Sequence, residues 1–208
     1  MEEKKKPDIR YLTELALLVA VELVMYYTPL GMLPLPGQYA SLLTVPVAVG
    51  AMLLGPAAGG ILGGLFGCLS FWKALQTGIL IGAGVSILAI FVLCVVTRTL
   101  MGVLTAWVFR LIDWIDRNHT VSCFVGGVAA PVLNTALYMG VYVVILMNNA
   151  LLQNVLASTV GEQVLEYLKH NVILFIAAYV GVQALIEAGV GCVVSGGACK
   201  ALRVALKK

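Results

Sequence analysis

Residues 55–67 read GPAAGGILGGLFG, six glycines in thirteen positions with apolar sequence on either side. Glycine inside a helix costs about 0.5–1 kcal/mol relative to alanine, so a helix this rich in it must recover that loss elsewhere. In a bilayer the recovery comes from contact. Lipid tails are as apolar as leucine, so helices gain little by hiding apolar surface from one another, and small residues that let backbones approach closely drive their association. Gly55, Gly59, Gly63 and Gly67 form one ridge at four-residue spacing, and Gly60 with Gly64 forms a second beside it. The spacing predicts a helix with two smooth edges, packed against closely from both sides. Gly55 and Pro56 fall where one helix ends and another begins, because glycine suits a helix stop and proline a first turn.

The rest of the chain agrees with a membrane setting. Of 208 residues 61% are hydrophobic and 11% charged, and mean hydropathy is +1.01, which leaves too little polar surface to cover a soluble domain. The N-terminal MEEKKKPDIR is charged and no small-residue cleavage site follows it, so the first apolar segment is expected to be retained. The expected fold is all-α: a single integral membrane domain over residues 1–208, with six transmembrane helices at about 11–28, 41–54, 57–71, 87–112, 121–147 and 172–200. Between the first two, PLGMLPLPGQYA (29–40) carries too many prolines and glycines for a helix and predicts a shaped loop. WKALQTGILIGAGVS (72–86), with Lys73, Gln76 and several glycines, is expected to be mainly a loop or re-entrant piece. The polar stretch 148–171 predicts an amphipathic segment lying over the membrane surface.

Six crossings put both termini on one side. Lys4, Lys5, Lys6, Arg10, Arg110, Arg117, Lys200, Arg203, Lys207 and Lys208 fall on that side and only Lys73 and Lys169 on the other, so both ends are expected in the cytoplasm. The net charge of +3 is then a topology signal and gives no reason to expect nucleic acid as a partner. The five cysteines lie in apolar runs without a CxxC pair and are expected to be small buried hydrophobes, neither disulfides nor metal ligands. No HExxH pair, nucleophile-and-base set or cluster of carboxylates points to an enzyme, a catalytic residue or a metal. No phosphate-cradling GxxxxGK[ST] loop is present, so ATP chemistry would have to come from other chains and no cofactor is expected.

The order TPLGMLPLPGQYASLLTVPVAVGAMLLGPAAGGILGGLFGCLSF, TRTLMGVL, LNTALYMG, QALIEAG resembles the substrate-binding S component of energy-coupling factor (ECF) vitamin transporters of prokaryotes, and is most similar to the pantothenate and folate branch. The resemblance covers residues 11–203. It implies a six-helix S-component bundle in the plasma membrane, in contact with lipid, that binds a vitamin in an outward-opening pocket. It also implies assembly with a membrane scaffold (T) subunit and two ATPase (A) subunits, with pantothenate the best match and folate, a pyridoxine-like compound or riboflavin as alternatives. A self-contained secondary carrier is the competing class, although no pair of inverted halves with broken helices is visible.

The resemblance places Ala16 and Ala20, an AxxxA pair on the first helix, against the scaffold subunit, and one helical turn between two small residues suits close approach. Arg98, about ten residues into the fourth span, cannot snorkel to either surface and needs an acceptor; Glu22, Glu187, Asn134 and a substrate carboxylate are the candidates. TRTLMG, the Asn134–Thr135 pair and Glu187 occupy family motif positions, whereas Gln183 stands where relatives often carry Asn. Direct substrate contact is expected from Gln38 and Tyr39 of the proline loop, from Trp72 and Lys73, and from Asn134, Tyr138 and Gln183, with Arg98 and Glu187 as either contacts or an internal clamp. Lys73 is the expected anion contact.

Overall fold

The computed structural model describes residues 9–35, 38–116, 120–160, 166 and 171–206. Helix α1 (Ile9–Tyr27) leads through a short 3-10 turn (Pro29–Gly31) into an antiparallel hairpin, β1 (Met32–Leu35) and β2 (Gln38–Ser41), in which Met32 pairs with Ser41 and Leu35 with Gln38. Then follow α2 (Thr44–Leu54), α3 (Pro56–Thr77) and the short α4 (Ile79–Gly82). Next come α5 (Ile87–Asp113), α6 (Val121–Met147) and α7 (Ala150–Val160). The last helix, α8, runs Val172–Val190, widens into a π turn at Gly191–Ser195 and continues as Gly196–Leu206. Among the described residues four helices, α3, α5, α6 and α8, are long and apolar enough to cross a membrane, and α2 is a shorter apolar helix.

The α2–α3 turn forms as the sequence predicts. Gly55 has φ of +93°, a conformation side chains rarely adopt, and Pro56 opens α3 where its missing N–H costs nothing. The glycine ridge then meets α5 along its length. A Cβ on Gly59 would run into the Gly102 carbonyl, one on Gly63 into the Arg98 carbonyl, and one on Gly67 would lie 2.6 Å from Val95 Cα. Gly60 and Gly64 face the same helix more loosely, their Cβ positions 3.1 Å from Val103 and 3.5 Å from Thr99. Both edges therefore meet α5, and only at Gly59, whose Cβ position also lies 2.9 Å from Ala51 Cβ on α2, does the helix have the expected second close neighbour; Gly55 belongs to the turn instead of the ridge. A second backbone-to-backbone crossing joins α6 to α8, where Gly191 lies against Gly127 and the ring of Pro131.

Two other expectations are corrected and one is extended. Segment 72–86 is not mainly loop: α3 continues to Thr77, where Gly78 with φ of +64° ends it, and α4 follows. Its polar residues include Lys73 and Thr77 on the inner face, so polarity there does not mean solvent. The expected amphipathic character of the 148–171 stretch extends, over its described residues 148–160, to packing of one face onto the bundle. Leu152 and Leu156 of α7 are buried in one of two apolar clusters with Ala83, Ile90 and Leu146, and the Asn149 side-chain amide donates to the Ala83 carbonyl at 2.8 Å. Cys123 and Cys199 are both fully buried and joined as a disulfide, with Cα atoms 5.8 Å apart. Their apolar surroundings reflect the α6–α8 contact that brings them together.

The end of the bundle opposite the hairpin is tied by a polar clamp. Arg203 on α8 donates to both Asp113 oxygens, at 2.6 and 3.0 Å, and lies 5.4 Å from the Phe109 ring centroid. Ser122, opening α6, donates its hydroxyl to Asp113 and its backbone N–H to Asp116. Of the basic residues in the topology argument, Lys4, Lys5, Lys6, Arg117, Lys169, Lys207 and Lys208 lie outside the described residues.

Candidate functional site

A cavity of about 330 Å³ opens between α3, α5, α6, α8 and the end of β2. Three stripes at helical spacing build its walls: Phe66, Ser70, Lys73 and Thr77 on α3; Asn134, Tyr138 and Tyr142 on α6; Tyr179, Gln183 and Glu187 on α8. Cys94 and Arg98 of α5 complete it.

Arg98 owes its place to the backbone beneath it. Residues Val92–Val96 form a π turn, whose wider winding disturbs the usual carbonyl partners. The next three residues answer the three carbonyls in turn: Thr97 Oγ1 donates to Leu93, Arg98 Nη1 to Cys94 and Thr99 Oγ1 to Val95, at 2.6, 3.2 and 2.8 Å. The guanidinium is held between two rings, 4.6 Å from the Phe66 centroid and 5.0 Å from that of Tyr138. Such stacking suits a planar, weakly hydrated cation away from water. Beyond Tyr138 the rings continue nearly parallel: Tyr138 to Tyr142 at 6.1 Å, Tyr142 to Tyr179 at 6.2 Å and Tyr179 to Phe175 at 5.6 Å.

Glu187 is 1% exposed. Its Oε1 accepts from the Ser41 backbone N–H and from the Gln183 side-chain amide, both at 2.8 Å. The first bond ties the β-hairpin to α8. Glu187 and Arg98 line the same cavity without forming a salt bridge, and Glu187 Oε2, Arg98 Nε and Ser41 Oγ are buried without a hydrogen-bond partner. Glu22, the other carboxylate named for Arg98, lies fully buried on α1 outside the cavity lining, with neither oxygen hydrogen-bonded.

Of the residues singled out in the sequence, the cavity brings together Lys73, Arg98, Asn134, Tyr138, Gln183 and Glu187. Trp72 is 61% exposed and does not line it. Gln38 and Tyr39 belong to β2, next to Ser41, and their side chains lie outside those described. Ala16 and Ala20 are exposed on α1. Sequence reasoning missed Phe66, Tyr142 and Tyr179. The signal was present as four-residue repeats, Tyr138–Tyr142 and Phe175–Tyr179–Gln183–Glu187, in which aromatic and polar residues share one helix face. Among the described residues no cluster of His, Cys, Asp or Glu could hold a metal.

An apolar helical bundle that encloses a small cavity, with Lys73, Arg98 and Glu187 in an otherwise largely aromatic and apolar wall, has the architecture of a membrane-embedded binding protein. A family model described as ECF transporter, substrate-specific component, matches residues 10–195, and the chain belongs to that family. It is thus a multi-pass membrane protein and a substrate-specific transporter subunit. No curated protein matches the chain.

Proposed function

We propose that this chain captures a vitamin, pantothenate, with high affinity for an ATP-driven uptake complex completed by a scaffold subunit and two ATPase subunits. The observation that carries the reading is the cavity. Its wall carries the cations Lys73 and Arg98 together with the carboxylate of Glu187, groups able to hold the charged and polar ends of a small metabolite, and its 330 Å³ lies at the small end of the ~300–1,000 Å³ of ligand sites. A compact metabolite is better accommodated than one the size of folate. In this reading Lys73, Arg98, Asn134, Tyr138, Gln183 and Glu187 contact the ligand, Gln38 and Tyr39 close over it from the hairpin, and Trp72 anchors the membrane interface. Helices α1 and α2 add two crossings to the four long helices, making six spans with both termini in the cytoplasm. Ala16 and Ala20 form the docking face.

Thermal shift of the purified chain against water-soluble vitamins tests the assignment. Stabilisation by pantothenate at micromolar concentration is expected, whereas stabilisation by another vitamin alone replaces it. Vesicles holding the chain without partners should bind the vitamin but not accumulate it; uphill uptake there would make the protein a self-contained carrier.

A further inference from the structure

Granted the binding-subunit reading, the cavity's unpaired atoms bear on which way the ligand lies. Arg98 Nε is a donor and never an acceptor, and Glu187 Oε2 is the free acceptor of a carboxylate whose other oxygen already takes two hydrogen bonds. Ser41 Oγ, also unpaired, can act either way. Arg98 and Glu187 line the same small cavity together with Ser41. A ligand group that both accepts and donates, such as a hydroxyl or an amide, satisfies Arg98 and Glu187 together. A carboxylate placed there would accept from Arg98 but set a second negative charge beside Glu187 and leave Oε2 unanswered, and unpaired buried polar groups are costly.

The second cation is elsewhere. Lys73 shares the cavity face of α3 with Phe66, whose ring carries Arg98, and stands seven residues further toward the hairpin end. At 1.5 Å per residue that is about 10 Å. We infer that the ligand is a small hydroxy- or amido-carboxylate bound with its uncharged, hydrogen-bonding end between Arg98, Glu187 and Ser41, and its carboxylate at Lys73, two turns of α3 beyond Phe66.

The test pairs acids with neutral counterparts on the purified full chain, by calorimetry and thermal shift: pantothenate with pantothenol, biotin with biotinamide, nicotinate with nicotinamide. Pantothenate or biotin, which carry hydroxyl or ureido groups far from the carboxylate, should bind at least tenfold more tightly than its neutral counterpart. Lys73→Met should bring that ratio to within twofold of one. Glu187→Gln should weaken acid and counterpart by the same factor, leaving the ratio intact. A ratio that survives Lys73→Met, or that disappears in Arg98→Gln while Lys73→Met keeps it, places the carboxylate at the deep end and overturns the inference. Binding of nicotinate alone, or of no acid in the panel, overturns it too. Biotin binding with the Lys73 pattern would remove pantothenate as the ligand and keep the orientation, so the two ideas fail separately. The Lys73 arm alters no fully buried side chain, so misfolding of the Glu187 or Arg98 variant does not decide the outcome.

Discussion

Replacing Gly63 by alanine puts one methyl group at a point where α3 and α5 are close to backbone contact. The new Cβ would overlap the Arg98 carbonyl oxygen and fall 3.0 Å from its carbon and 3.3 Å from Thr99 Cα. These are main-chain atoms, so relief requires the helices to part instead of a side chain turning. Overpacking of this kind costs about 1–3 kcal/mol, and alanine returns about 0.5–1 kcal/mol of helix propensity. With backbone as the obstacle the upper part of the range applies, for a net loss of about 1–2 kcal/mol, or roughly 2–8 °C in melting temperature for a chain of this size. Gly64→Ala is the control one residue along. Its Cβ meets only Thr99 Oγ1 at 3.5 Å, an ordinary contact, so the propensity gain should remain and melting should rise by roughly 1–4 °C. Both variants are compared with the parent by thermal unfolding in one detergent. Because Gly63 seats against Arg98 itself, Gly63→Ala should also weaken ligand binding, and Gly64→Ala should not. A Gly63→Ala protein that melts at or above the parent, or a Gly64→Ala protein that falls as far, would refute the claim that the ridge sets helix separation.

Glu22→Met should raise the melting temperature by several degrees, because it replaces a fully buried carboxylate without hydrogen-bond partners by an apolar side chain of similar length; a lower value would mean that the carboxylate is satisfied in the folded protein. Alkylation with N-ethylmaleimide in denaturant, before any reductant, should modify Cys68, Cys94 and Cys192 and spare Cys123 and Cys199. Labelling of the latter pair would remove the link, which over a separation of 76 residues is worth at most about 4.5 kcal/mol of chain entropy. Changing Ala16 and Ala20 together to leucine should abolish co-purification with the scaffold subunit while leaving the vitamin dissociation constant within twofold; intact assembly would move the docking face off α1.

Helix-scale features were legible in the sequence because they depend on local chemistry. The span 121–147 appears with the same limits as α6, and the Gly55–Pro56 turn follows from backbone preference alone. What the sequence concealed was which way polar residues face. Lys73 and Gln76 suggested a loop, yet α3 continues through both, and the face bearing Lys73 looks into the cavity, where hydropathy cannot distinguish a wet interior from solvent. Cys123 and Cys199 carry no local sign of pairing, and only the α6–α8 crossing at Gly127 and Gly191 brings them within reach. Arg98 lines the cavity, but its closest partners are two rings and a carbonyl of its own helix, none of them the charged acceptor that simple pairing demands.

The glycines and the cavity are parts of one arrangement. A cavity that carries Lys73, Arg98 and Glu187 in its wall survives inside a bilayer only if lipid is kept from those groups, and side chains that fill helix contacts would hold the walls apart. The ridge at Gly59, Gly63 and Gly67 brings α3 onto the backbone of α5 at Gly102, Arg98 and Val95, and Gly191 does the same for α8 on α6. With the backbones that close, Phe66 reaches the Arg98 guanidinium and the Phe175–Tyr179–Gln183–Glu187 stripe faces Tyr138 and Tyr142 across a narrow gap. Widening either crossing would cost the cavity its seal before it cost the protein its fold, so binding should respond to substitutions along the ridge more steeply than stability does.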